Sequence, residues 1–428
     1  MYYDANNLYG WSMIQNLAIG NYKWDDVTLW NEEKIQNINN DSETGYIFEV
    51  DLEYPKEIHD LHNHYPLCPE RKLVKTEWLS EYQKGLKEKL NIQNDHVEKL
   101  ITDLTDKKNY RTHYRNLQLY LQLGLILKKI HKVLSFKQTP LLKDYITGNS
   151  ILRQKAKAKK DDFGANIYKI KNNGVFGKQM ENVRNRCDIR LVKDNTFRYN
   201  KLISHPAYKF KRTIFNENLV AVHMNKREIK LNKPIINGFI ILELSKYLMY
   251  DFYYNVLKKR YGDKIKLLFT DTDSLCVEIE TEDIYKDMNE QKEYYDCSEY
   301  PKDHILYNTE NQAVVGKFKD EEKGEIITEF VGLRSKLYSL KVQDKKEEKK
   351  VAKGVKMCVI KKGLKFKDYK NTLDYEDQTE RKMNFIKSTK HNVNTIQVNK
   401  ICLSVFDNKR YILDDGISTL SYGHCIIK

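Results

Sequence analysis

The stretch KIKLLFTDTDSLCVEIE (264–280) decides how the chain is read. Two apolar runs of strand length flank Thr270, Asp271, Thr272, Asp273 and Ser274, the pattern of a β-hairpin. Side chains alternate along a strand, so Asp271 and Asp273, two apart, fall near one face at the tip. Apolar runs on both sides predict central strands. Two carboxylates on such a tip need a counter-charge, for which Mg²⁺ is the natural choice. An acidic turn with no further role is the plain alternative, since Asp and Ser are favoured in turns.

A second strand-end carboxylate lies in MYYDANNLYG (1–10). Residues 1–3 read as a short strand, and a turn leads into a helix around 8–13. Asp4 has an ordinary reading as a helix N-cap. Two strand-end carboxylates from distant parts of a chain also meet the need of two-metal phosphoryl transfer. One metal lowers the pKa of an attacking hydroxyl and the other stabilises the leaving oxygens.

The third element is ILRQKAKAKKDDFGANIYKIKNNGVFG (151–177), which reads as two helical stretches separated near 161–164. Lys169, Asn173, Phe176 and Gly177 recur at helical spacing and share a face. Arg153, Lys155, Lys157, Lys159 and Lys160 lie just upstream. Such a face can hold a triphosphate with lysine and set an aromatic ring against a base. A Lys-rich helix that is merely solvated is the alternative.

The chain has 428 residues, 40% of them hydrophobic and 30 of them tyrosine, which suits a globular protein of two or three domains or subdomains. Its formal charge of +14 makes a polyanionic partner the first expectation, with a biased Lys- and Asn-rich composition as the competing cause. Seven scattered cysteines without a CxxC pair argue for a reducing compartment and against structural zinc. No signal peptide precedes Asp4 and no 18-residue apolar run occurs, so no membrane partner is expected. The expected location is nuclear or cytoplasmic, with a mitochondrial plasmid origin also compatible. Elsewhere, 44–55 reads as a strand, 76–108 carries helical apolar spacing, and 116–136 alternates before turning helix-like. Residues 238–262 read as a long buried helix closed by glycine. The tail from about 310 mixes short strands with basic turns, the charge at 343–350 being a solvated loop.

Taken in order, YDANNLYG (3–10), KIKNNGVFGK (169–178) and FTDTDSL (269–275) resemble motifs A, B and C of family B DNA polymerases. The likeness is to the protein-primed group of viruses, linear plasmids and Polinton/Maverick-type transposons. GLRSKLYSLK (332–341) is similar to that group's KxY motif. VVGKFKDE (314–321), MENVRNR (180–186) and YILDDGISTLSYGH (411–424) are similar to transposon-type members. The resemblance runs the length of the chain.

It implies an α+β polymerase right hand, with an antiparallel palm sheet, helical fingers and a mixed thumb. The expected segments are palm 1–19, an insertion and palm-associated region 20–135, fingers 136–182, palm 183–310, and thumb with C-terminal region 311–428. Asp4 and Asp273 become the metal ligands, with Asp271 the neighbouring catalytic acid on the primer side. Tyr9 matches the tyrosine that packs under the incoming sugar and rejects a 2′-hydroxyl. Lys169 matches the phosphate-binding lysine, with Arg153 or Lys157 as a second phosphate ligand. Asn173, Phe176 and Gly177 match the helix that contacts the nascent base pair. Thr272 adjoins the DNA, and Lys336 and Tyr338 match the pair that grips the primer terminus. The implied cofactor is a pair of Mg²⁺ ions, with Mn²⁺ as substitute. Primer–template DNA, deoxynucleoside triphosphates and a terminal protein primer are the implied partners. Asn7 and Gly174 stand where relatives carry serine, and Phe176 where many carry tyrosine. The exonuclease domain that relatives carry upstream is expected to be absent. Residues 20–135 occupy the place of an insertion tied to terminal-protein contact. A non-catalytic nucleic-acid-binding remnant is the second reading. A metal-dependent nuclease accounts for neither the motif B helix nor the KxY motif.

Overall fold

The structure, a computed structural model, describes residues 1–93, 97–345, 347–389 and 392–427. The chain forms two compact units. One comprises Met1–Asn172, Phe239–Met383 and Asn399–Lys428, the other Asn173–Gly238 and Asn384–Val398. The divisions after 172 and 238 fall inside the 136–182 and 183–310 segments read from the sequence as fingers and palm.

At the centre of the larger unit is a four-stranded antiparallel sheet in the order Ile265–Thr270, Ser274–Ile279, Tyr2–Ala5, Phe318–Asp320. The 264–280 hairpin forms as its pattern predicts. Only its second strand is central, however; Ile265–Thr270 is the sheet edge. Both faces of the sheet are covered, which explains the unbroken apolar runs. Tyr3, Ala5, Leu275, Val277 and Phe318 enter one large core with Phe252, Tyr253 and Leu257 of the long helix. Phe252 stacks on Phe318 with ring centroids 3.6 Å apart. Tyr2 and Cys276 point the other way, into a smaller core with Tyr338, Leu340 and Val342. The period of two thus splits a four-residue strand between two cores.

The expected helix over 238–262 is Ile235–Asp251, widened into a π-helical stretch at Phe252–Lys258 and ended at Gly262, which takes φ 56°. Its Glu243 is buried yet stays ionised below the usual range. Burial opposes the charge, but Lys246 and hydrogen bonds from Asn116 and the His113 amide outweigh it. A second antiparallel sheet orders Leu17–Asp25, Ile126–Thr139, Thr44–Glu53 and Lys107–His113, and a third orders Ile327–Arg334, Leu337–Val342 and Lys349–Ala352.

Three sequence readings are corrected. Among the described residues the 76–108 segment is α-helical over Glu81–Lys89 alone, after a 3-10 turn at Thr76–Trp78; a reciprocal Ser80–Gln83 capping box holds the helix, and strands Lys99–Ile101 and Lys107–His113 follow. In 116–136 the order is reversed: helix Tyr114–Gln122 precedes strand Ile126–Thr139. The helix is buried over Asn116 to Leu121, and Gly124 follows it at φ 102°. Within 343–350, Lys349 and Lys350 belong to a strand, and position 346 lies outside the described residues. The paired helices at 151–177 are found as Lys143–Ala158 and Asp162–Gln179.

In the smaller unit, strands Asp188–Val192, Leu219–Met224 and Tyr208–Asn216 form an antiparallel sheet in that order. Val192, Val220, Val222 and Met224 pack with Tyr199 of the helix Phe197–Ile203. Among the described residues no helix is long and apolar enough to cross a membrane.

Candidate active site

Strand pairing sets the geometry. Asp4 lies opposite Ser274 on one side and Lys319 on the other, and the Ala5 amide donates to the Asp273 carbonyl at 2.7 Å. Asp4 and Asp273 therefore occupy the ends of two adjacent strands. Asp4 is a strand residue, which removes its N-cap reading; the cap of helix Leu8–Met13 is Asn7, at φ 45°, whose side chain accepts from the Gly10 amide at 3.2 Å. A Cβ on Gly10 would stand 2.1 Å from Asn7 Nδ2, so a larger residue there displaces the capping side chain.

The hairpin tip is a tight reversal. The Asp273 amide donates to the Asp271 carbonyl at 2.7 Å around Thr272, which is held at φ 60°. The two tip carboxylates have different partners. Asp271 is engaged by Lys336 Nζ at 2.8 Å, whereas no ion pair is formed by Asp273 among the described residues. Burial, followed by the charge of Asp271, raises the Asp273 carboxyl. Asp4 is pushed up to about 6, chiefly by burial and then by Asp273 and Glu321, against the attraction of Lys319.

Lys319 and Glu321 are site residues that the sequence reading did not single out. Lys319 Nζ lies 3.3 Å from Asp4 Oδ1 and 2.7 Å from Glu321 Oε1. Burial opposes its charge, but Glu321 and Asp4 more than offset this and its pKa rises. Lys319 lies on the strand Phe318–Asp320, and Glu321 follows in the turn, its amide donating to the Tyr2 carbonyl at 2.8 Å.

Lys336, in the turn after Ile327–Arg334, and Tyr338, on the following strand Leu337–Val342, reach the same place. Lys336 sits at φ 60°, and the Tyr338 ring stacks on Phe269 at 4.1 Å, its hydroxyl 3.3 Å from that of Tyr2. Tyr9 is half-buried. Burial raises its phenol, Asp273 adds to the rise, and Lys336 opposes it, so the ring lies within the field of both groups. Asp4, Tyr9, Asp271, Thr272, Asp273, Lys336 and Tyr338 are thus brought together.

The helix Lys143–Ala158 brings a basic residue towards the site. Lys157 acts on Glu299, which also feels Lys319. Arg153 has a buried Nε that makes no hydrogen bond among the described residues, a donor suited to an anion. Lys169 is exposed on the larger unit's part of Asp162–Gln179. Asn173, Phe176 and Gly177 belong to the smaller unit, with Phe176 half-buried and the other two exposed. A Cβ on Gly177 would meet nothing within 4 Å.

No cage of three or more His, Cys, Asp or Glu side chains gathers among the described residues. The donor set nevertheless fits a divalent cation. Two half-buried carboxylates with raised pKa values, sharing one lysine at the edge, are short of positive charge. Oxygen ligands are what Mg²⁺ prefers.

The fold is similar to that of a solved DNA polymerase. Solved structures of Phi29 DNA polymerase are similar to 94% of this chain: the complex with primer–template DNA (14% identity, TM-score 0.53), an orthorhombic crystal form (14%, 0.54), and the ternary complex with primer–template DNA and incoming nucleotides (15%, 0.53). The chain spans 57–58% of the length of those structures. No protein-family model and no curated protein matches the sequence.

Proposed function

We propose that this chain is a DNA-templated DNA polymerase of the protein-primed family B type, extending a primer 3′-hydroxyl with deoxynucleoside triphosphates. The observation that carries the reading is the charge-deficient pair Asp4 and Asp273 at adjacent strand ends in a polymerase-like fold. Mg²⁺ ions, or Mn²⁺ in their place, supply when bound the positive charge that favours the attacking alkoxide and the departing pyrophosphate. Asp4 and Asp273 hold them, and Glu321 adds to the same negative field.

In this reading the central sheet is the palm, the paired helices the fingers, and the sheet carrying Lys336 and Tyr338 part of the thumb. Asp271, tethered to Lys336, lies on the primer side, where Lys336 and Tyr338 hold the terminal nucleotide. Tyr9 packs under the incoming sugar. Lys169, with Arg153 or Lys157, takes the triphosphate, Asn173, Phe176 and Gly177 belong to the helix that meets the nascent base pair, and Thr272 adjoins the DNA. Primer–template DNA and nucleotides are supported as partners by the Phi29 DNA polymerase complexes; a terminal protein primer rests on the sequence resemblance.

The test is extension of a 5′-labelled primer on a DNA template with Mg²⁺. Extension is expected, with Asp273→Asn and Asp4→Asn each lowering the rate at least about a hundredfold. A protein that binds primer–template yet extends nothing under Mg²⁺ or Mn²⁺ refutes the enzyme reading in favour of a binding remnant.

A further inference from the structure

The smaller unit concentrates charge. Its segment 173–238 holds 14 Lys and Arg against 5 Asp and Glu, an excess of nine within the +14 of the whole chain. One face of its sheet is covered by the helix Phe197–Ile203. The outer strand, Tyr208–Asn216, is exposed at all positions but Tyr208 and Thr213. Its pairing with Leu219–Met224 slips: Val222 faces Arg212, whereas Met224 faces Tyr208. Three residues, Lys209, Phe210 and Lys211, therefore oppose His223 alone and bulge outward.

At the apex Phe210 is 92% exposed and takes φ 53°. A bulky L-residue in the left-handed region is strained, and such strain collects at functional positions. Among the described residues nothing offsets it, because the ring enters no core; its ring contact is with Tyr208, 5.4 Å away. Lysines flank it on both sides, exposed as well.

We propose that this bulge is a binding site for a single polynucleotide strand, one base stacking on Phe210 while Lys209 and Lys211 meet the flanking phosphates. A duplex keeps its base faces stacked, so a solvent-borne ring selects an unpaired strand, and the local positive excess favours a polyanion. This site is independent of the polymerase reading.

The test uses the full chain in EDTA without nucleotides. A twelve-residue thymidine oligonucleotide carrying one 5-iododeoxyuridine is irradiated on the protein and the adduct mapped by mass spectrometry; a uridine oligonucleotide with 5-iodouridine forms the second arm. Crosslinking at Phe210 is expected, and the arm that crosslinks there identifies the strand as DNA or RNA. Phe210→Gly, which suits the backbone, should weaken oligonucleotide binding at least about fivefold without lowering the melting temperature, and Phe210→Trp should retain it. Adducts confined to other residues, unchanged binding by Phe210→Gly, or an equal loss for a blunt duplex overturns the proposal. A protein without primer extension that still crosslinks at Phe210 refutes the polymerase reading alone.

Discussion

Asp4 lies in the strand Tyr2–Ala5, half-buried beside Lys319. In the folded chain its carboxyl titrates near 6, against an ordinary 3.8. A raised folded pKa means that its contribution to stability is full below about pH 3.8 and lost as pH rises through about 6. In EDTA, the difference in melting temperature between the native chain and Asp4→Asn should grow across that window, the variant being the more stable at pH 8. A divalent cation binds the ionised form, so Mg²⁺ should raise the melting temperature at pH 7.5 and have little effect near pH 5; equal effects at both would exclude the site. Tyr9→Val should increase ribonucleotide incorporation in primer extension, and unchanged sugar selectivity would remove the steric role of the ring. Residue identity and order made Asp4, Asp271, Asp273, Lys336 and Tyr338 legible in the sequence. Lys319 and Glu321 were not, because only the pairing of Tyr2–Ala5 with Phe318–Asp320 brings them to Asp4.

At the scale of elements, the sheet carrying Tyr338 is tied to the central sheet by a small aromatic core. Tyr338 stacks on Phe269, Phe269 on Phe330 at 5.7 Å, and Tyr2 meets Phe269 edge-on at 5.2 Å. Tyr338→Ala should cost about 3–5 kcal/mol in urea denaturation, as for other buried aromatic truncations. Tyr338→Phe keeps the stack and loses only the hydroxyl contact with Tyr2, at about 1 kcal/mol. Elements were legible where one period dominated, as in 265–279 and in the paired helices. They were not where a helix is buried on nearly every side: Leu117, Leu119 and Leu121 alternate like a strand, yet all of Asn116 to Leu121 is buried and no polar face marks the helix. In 76–108, short elements follow one another faster than any period can establish itself.

At the scale of the whole chain, the division into two units was not visible in the sequence, because no linker composition marks it; one helix, Asp162–Gln179, runs straight through position 172. Sequence separation has a further consequence for the strand bearing Asp4. That strand finds its partners about 270 and about 315 residues further along the chain. Contacts so distant in sequence carry a large loop-closure cost and form slowly, whereas helices such as Lys143–Ala158 form from local contacts. The charge pair should therefore be among the last features a refolding chain regains. After dilution from denaturant, far-ultraviolet circular dichroism should recover first, and Mn²⁺ binding followed by electron paramagnetic resonance should lag behind it. Simultaneous recovery would mean that the central sheet nucleates folding. The carboxylates around which this reading turns are then a kinetic clock as well as a site: ion binding reports that the last strand has closed.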